Sequence, residues 1–140
     1  MCFVIHKDHP KAKVAEKDIK VYKVLENNRG RLISTYQYFK YNPKQLYHSK
    51  IVIEPWREKL LIDEGLHSFS SLKGVDDHIS CCAWEACVCE FIIPKGSEYY
   101  YNPDKQEYVS DQTYWTGRVY RTDRWIEFKG KITKKMIYNQ

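Results

Sequence analysis

The sequence lacks any apolar run near the roughly 20 residues that a membrane-spanning helix needs. The apolar patch at residues 2–5 is too short for the core of a signal peptide, and no basic leader precedes it. These two absences predict a cytoplasmic protein with no membrane partner.

Cysteine is scarce, at five residues, and four of the five lie within 81–89 without forming a Cys-x-x-Cys pair. Adjacent and alternating cysteines do not bridge each other in relaxed geometry, and these spacings do not match a tetrahedral metal site. We therefore predict reduced, metal-free thiols, with Cys82 on the buried face of a helix and Cys89 on the next strand. A zinc site that joins these thiols to His67 or His78 is the alternative.

Charge is balanced over most of the chain, and one segment carries the whole excess. Residues 114–140 contain seven lysines and arginines but two acids, which accounts for the net charge of +5. Together with the tyrosines and tryptophans between them, these basic residues suit a nucleic-acid backbone with stacked bases. A solvated sheet edge guarded by lysines is the other interpretation, and a net charge of this size is ordinary.

The length of 140 residues and the hydrophobic content of 43% predict one domain, 1–140, with a core of its own. It begins with a polar N-terminal arm, 1–18, and ends with the basic strands of 114–140.

Alternating and β-branched or aromatic runs predict most of the secondary structure. The predicted strands are 19–25, 36–41, 46–53, 66–69, 88–93, 97–101, 108 onward, 125–128 and 131–138. An apolar stripe at three- and four-residue spacing predicts the main helix over 75–86, begun at Asp76 or Asp77. The sum is an α+β fold, strand-rich with one main helix.

Short motifs at two places carry a first resemblance. Val21-Tyr22-Lys23 forms a tyrosine-lysine strand, and Gly65-Leu66-His67 stands where small uncharacterised bacterial and phage proteins have a Gly-Phe-His motif. The chain resembles that group over residues 20–69. The resemblance implies a phage-encoded protein that acts in the host cytoplasm.

The order of elements from Tyr22 to Val119 is similar to that of compact ADP-ribosyltransferases, especially the rifampin-modifying and RNA-phosphotransferase branches. The resemblance implies an NAD cleft floored by the first core strand and a carboxylate that stabilises positive charge as nicotinamide leaves. The ligand-binding residues it implies are Tyr22, Lys23, His67, Ser68 and Ser70, and the implied catalytic residues are Glu107 and Asp111. The chain has no Glu-x-Glu or Gln-x-Glu pair, so the carboxylate is chosen by position alone.

Two functions of different class follow. One is a nucleotide-cleft protein that binds NAD, ADP-ribose or a related nucleotide, as an active or degenerate transferase. The other is a non-enzymatic, phage-type protein that holds a protein or nucleic acid through Tyr99-Tyr100-Tyr101 or the basic C-terminal surface. Alternation along a strand predicts that at least one of these tyrosine rings is exposed.

The site residues also have structural interpretations. His67 can be satisfied by backbone groups, as buried polar groups usually are. Serines at the end of a strand, here at 68–71, can cap the helix that follows.

Overall fold

The computed structural model describes residues 3–28, 31–34, 39–75, 86–121 and 137–139, and most of these lie in β-strands. The strands are β1 (Phe3–Val4), β2 (Lys13–Val14), β3 (Ile19–Asn28), β4 (Arg31–Ser34), β5 (Leu46–His48), β6 (Val52–Trp56), β7 (Lys59–Glu64), β8 (Leu66–Phe69), β9 (Ala86–Ile93), β10 (Glu98–Asn102), β11 (Glu107–Ser110), β12 (Gln112–Arg121) and β13 (Ile137–Asn139). One helical segment, α1, covers 72–75.

The described strands form two antiparallel sheets. The larger has ten strands in the order β13-β12-β9-β3-β8-β11-β10-β2, with β4 added beside β3 and β5 beside β12. The smaller has the order β1-β7-β6. The fold is therefore largely β with a minor helical part, which confirms the strand-rich α+β character predicted from the sequence.

The long strand β3 lies near the middle of the larger sheet because alternate residues along it are apolar. Val21 and Leu25 are fully buried, and each is paired with a buried residue of β9, Phe91 and Cys87 respectively. Lys23 lies between them in the same row and is paired with Cys89. A charged residue thus occupies a position that the strand pattern reserves for the core.

Two groups of buried side chains lie on opposite faces of this sheet. The first contains Val21, Leu25, Cys89, Phe91 and Trp115 among others. The second contains Phe3, Ile62, Tyr100 and Val109, and it fills the space toward the three-stranded sheet.

Several predicted elements are confirmed by the structure. β3, β8 and β9 occupy the strands predicted at 19–25, 66–69 and 88–93, and β10 covers the one at 97–101. The strand predicted from 108 onward is divided at Asp111 into β11 and β12. Half of 36–41, most of the helix 75–86, the strand 125–128 and most of 131–138 lie outside the described residues; the described half, 39–41, is not a strand but holds an isolated bridge from Lys40 to Ile33.

The prediction of one strand over 46–53 is wrong. Residues 46–48 form β5 beside β12, whereas β6 begins at Val52 and pairs with β7 in the smaller sheet. Between them Ser49 N donates to Asp111 O at 2.9 Å, so the chain turns from one sheet to the other there. Pro55 lies inside β6, an edge strand where the missing N–H is tolerated.

The described helical residues begin before the predicted helix. Residues 72–75 are helical, three residues ahead of the predicted start at 75. Gly74 N donates to Ser71 Oγ at 3.2 Å, which makes Ser71 the N-cap of this segment, whereas Asp76 and Asp77 lie outside the described residues. The sequence feature that indicates this N-cap is a serine directly before an apolar residue.

The predicted polar arm, 1–18, contains two short strands. β1 pairs with β7 and buries Phe3, while β2 pairs with β10. Ala15, next to β2, is also buried in the first core group. Among the residues described, no helix is long and apolar enough to cross a membrane.

Gly65, directly before β8, supports a first prediction. A Cβ at this position would lie 2.3 Å from Val109 Cγ1, and Val109 is fully buried. Gly65→Ala should lower the free energy of unfolding by about 1–3 kcal/mol, because β8 and β11 must move apart. Chemical denaturation measures this loss. In a Val109→Ala background the same substitution should lower the free energy of unfolding much less. An equal loss in both backgrounds would contradict the contact between position 65 and Val109.

Candidate functional site

A split in the larger sheet, between β3 and β8, contains the candidate site. The described pairing of these strands is limited to Tyr22 with Phe69. Beyond that pair, β3 continues alongside β4 from Leu25 onward, while β8 runs on beside β11. The ladder between β3 and β8 is therefore open at the level of Lys23 and His67.

Lys23 reaches into this split. Its Nζ donates a 2.6 Å hydrogen bond to the backbone oxygen of His67, so the amine satisfies a carbonyl where the β3–β8 ladder has ended. The residue is only 8% exposed, and its Nζ lies 5.4 Å from the centre of the Tyr41 ring. An amine with this little access to water is unusual, because lysine is almost never fully buried without a partner.

The surroundings of Lys23 disfavour its charged form. Burial lowers the pKa of Lys23 from 10.5 to about 8, although the Glu107 carboxylate and the Cys89 thiol act in the opposite direction. Desolvation is the larger effect because removing an ammonium from water costs more than one nearby carboxylate returns. A lysine with such a pKa is partly deprotonated near neutral pH, which is a common property of functional lysines.

Glu107 and His67 form the second part of the site. His67 Nδ1 lies 3.7 Å from Glu107 Oε1, and the exposed fractions of the two side chains are 32% and 7%. The first residue of β11 thus places a nearly buried carboxylate beside a histidine that is still open to solvent. The imidazole therefore offers a hydrogen-bonding group toward solvent, with the carboxylate behind it.

Lys23 and Glu107 approach the split from opposite faces of the sheet. Glu107 is paired with Phe69, and Phe69 with Tyr22, so these three side chains share a face. Lys23 follows Tyr22 on β3 and therefore points to the other face, where it meets the buried Cys89. A small molecule held at the split would contact the amine from one side and the carboxylate from the other.

Ser68 contributes a buried hydroxyl near the amine. It follows His67 on β8 and is fully buried, yet its Oγ makes no hydrogen bond within the described structure. Its position next to Phe69 places it on the same face as Lys23. A buried hydroxyl without a partner costs free energy, so a bound polar group would be stabilised there.

Ser70 and Ser71 have structural roles. Ser70 Oγ lies 3.2 Å from Tyr101 Oη and 3.3 Å from Gln106 O, and Ser70 N donates to that same oxygen at 2.8 Å. Ser71 caps α1 and also bonds the side-chain oxygen of Gln106. The interpretation of these serines as helix-capping and strand-end groups is therefore the one the geometry favours.

The structure does not bring Asp111 into the site. Its carboxylate accepts a hydrogen bond from Glu98 N at 3.0 Å, and its backbone N donates to Glu98 O at 3.1 Å. Asp111 therefore extends the pairing with β10 at the far end of β11 from Glu107. Four residues of extended chain, about 13 Å, separate the two carboxyl groups along the strand.

The predicted positions of the cysteines can be checked in part. Cys89 lies on β9 as predicted, and Cys87 and Cys89 are both buried. Cys82 falls outside the described residues, and within the described part no group of His, Cys, Asp and Glu is suited to a metal ion.

The three tyrosines of 99–101 are buried or half-buried. Tyr99 and Tyr101 pack against Tyr108, so the predicted exposed ring is absent among them.

The basic C-terminal surface is described only in part. Arg118 NH1 lies 4.0 Å from Glu90 Oε2, so this arginine already faces a carboxylate. The remaining predicted phosphate-contacting residues lie mostly in 122–136, outside the described structure.

Two members of the site were not found from the sequence. Tyr41 and Cys89 both border Lys23, but the sequence places them in an expected strand and in a cysteine group. The signal that was present is a lysine at a core position of an alternating strand, between Val21 and Leu25. Such a residue must find a special environment, because an unpaired buried charge is costly.

Comparisons with protein-family models, with curated proteins and with solved structures found no match to this chain. The resemblances derived from its short motifs therefore stay predictions, and the geometry of the described residues is the basis for the proposed function.

Proposed function

We propose that this protein binds a small anionic ligand of the nucleotide type, with NAD and ADP-ribose as the first candidates, at the split between β3 and β8. The observation that carries the proposal is the buried Lys23 amine, which a carbonyl oxygen holds in place and whose burial leaves its positive charge poorly solvated. An anionic group at this point would restore the solvation that folding removes. Hydrogen bonds between charged groups of this kind are among the strongest in proteins.

The neighbouring residues suit the rest of such a ligand. Ser68 offers a buried hydroxyl without a partner, and the half-exposed His67 can bond a ribose hydroxyl at the solvent side. Tyr22 lies next to Lys23 on β3 and offers an aromatic ring to a base. Glu107 lies 3.7 Å from His67 Nδ1 and acts electrostatically on Lys23, so it is the carboxylate that would stabilise positive charge on a bound sugar.

The finer fold proposal rests on the same arrangement. An ADP-ribosyltransferase-like layout needs a first core strand under the ligand and the strand after the helix beside it. β3 and β9 are neighbours along the length of β9, and Tyr22 and Lys23 lie on β3. These features support the proposed layout, whether the protein is an active or a degenerate transferase.

Calorimetric titration of NAD and of ADP-ribose tests the proposal. Wild-type protein should bind at least one of them, and Lys23→Met should bind it about tenfold or more weakly, because a charge-assisted hydrogen bond is lost. Methionine keeps the length of the side chain without its amine. Lys13→Met, an exposed lysine on β2, is the matched control and should bind like wild type.

Absence of heat with both nucleotides, or equal binding by Lys23→Met, would reject the nucleotide site. The second function, a surface that holds a protein or nucleic acid, would then be the better account.

A further inference from the structure

We propose that Lys23 is also a covalent binding residue, whose amine forms an imine with a small anionic aldehyde or ketone that enters beside His67. This goes beyond nucleotide binding, since it names a bond-forming reaction and a carbonyl compound as its substrate class. The inference rests on three groups at the split: a buried amine, a nearly buried carboxylate and a histidine open to solvent.

The first requirement of such a reaction is a neutral, positioned amine. Because burial lowers the pKa of Lys23 to about 8, about one amine in five is neutral near pH 7.4, against about one in a thousand for an ordinary lysine. The hydrogen bond to His67 O uses one N–H of the amine and fixes the nitrogen. The lone pair of the neutral form is then free to attack.

The second requirement is a route for protons. In imine formation the nitrogen lone pair forms the C–N bond while the carbonyl π electrons move onto oxygen. The two protons of the neutral amine then leave with that oxygen as water, and the C=N bond remains. Glu107 is near enough to Lys23 to raise its pKa, and it lies 3.7 Å from His67 Nδ1. Since Glu107 faces the other side of the sheet from Lys23, it acts through its pair with His67: the pair gives a proton to the departing hydroxyl, and the proton released by the nitrogen returns to the pair through solvent.

The third requirement is selectivity for a small anionic carbonyl compound. Lys23 as a whole residue is only 8% exposed, which excludes bulky reagents, and the histidine side chain is 32% exposed, which leaves an approach from solvent. The protonated fraction of the amine attracts an anion to the same place where the neutral fraction reacts. Two sources share this chemistry, 2-oxo acids and the open-chain form of sugar phosphates.

Reductive trapping tests the inference. The protein is incubated with sodium cyanoborohydride and either glyoxylate or ribose 5-phosphate, and labelled lysines are located by peptide mapping. Lys23 should be labelled about tenfold or more faster than the exposed Lys13 in at least one arm. The arm that reacts identifies the source, and in urea-unfolded protein the preference for Lys23 should disappear.

Glu107→Gln supplies the second readout. It should slow labelling of Lys23 at least about tenfold while leaving Lys13 unchanged, because only Lys23 uses this carboxylate. Labelling of Lys23 no faster than of Lys13 in both arms would overturn the inference, and an unaffected rate in Glu107→Gln would overturn the role of the carboxylate. Since the assay contains no nucleotide, its failure leaves the calorimetric test of NAD binding intact.

Discussion

The wild-type protein should gain stability, relative to the Lys23→Met variant, as the pH rises from about 7 to about 9. The pKa of Lys23 is about 8 in the folded protein and near 10.5 once the chain unfolds. Between these values the unfolded chain binds more protons, so a rise in pH favours the folded state. Below about pH 8 both states are protonated, and the folded state carries the full cost of desolvating the ammonium.

The size of the effect follows from the pKa difference. The whole shift corresponds to about 3 kcal/mol, of which about 1.4 kcal/mol should be gained between about pH 7 and about pH 9. Burial raises the pKa of the Cys89 thiol, so that group has the opposite effect and removes stability as the unfolded thiol ionises above about pH 9. Comparing the two proteins cancels the contribution of the tyrosines, whereas that of Cys89 changes because Lys23 is one of the charges that act on its thiol, so the comparison ends at about pH 9.

Urea denaturation of wild type, Lys23→Met and Lys13→Met over this pH range measures the difference. Lys13→Met should follow the wild-type curve, since Lys13 is exposed. Parallel pH curves for wild type and Lys23→Met would show that the amine is not desolvated in the folded protein.

Trp115→Ala should cause the largest loss of stability, about 3–5 kcal/mol. The side chain is 1% exposed, and its ring stacks on Phe91 with centres 6.0 Å apart and planes inclined by 8°. Its indole Nε1 also donates to Arg118 O at 3.4 Å, across the irregular part of β12. Removing the ring leaves a large cavity at the centre of the first core group, and the stacked arrangement adds to the loss.

Trp115→Phe is the matched variant because it retains an aromatic ring against Phe91 and removes the indole N–H. It should lose clearly less stability than the alanine variant, and chemical denaturation measures the free energy of unfolding of both. An alanine variant that unfolds within about 1 kcal/mol of wild type would show that the ring is not part of the core.

The strands of the core were predictable because their side-chain patterns are strong. β3, β8 and β9 combine alternation or continuous apolar character with lengths that only strands satisfy. The path between 46 and 56 was not predictable by the same means. Aromatic and β-branched residues continue through that segment, and nothing local shows that β5 joins one sheet and β6 the other.

The candidate site was predicted in part. Lys23, His67 and Glu107 were singled out as residues on strands expected to lie side by side, and the structure brings these three together. Their grouping depends on a sheet that opens between β3 and β8, a long-range feature with no sequence signal. Asp111 was included because it lies, like Glu107, at the expected last core strand, yet it bonds to Glu98 of β10 at the far end of β11.

The two-residue strand β2 affects how the protein behaves at high concentration. It lies at one end of the strand order of the larger sheet, both of its residues are exposed, and one of them is Lys13. A short edge that carries a positive charge is a poor template for another chain, because each added strand would gain few hydrogen bonds and would place like charges together. Growth of fibres from this edge is therefore disfavoured, even though the sheet behind it is wide and rich in aromatic residues.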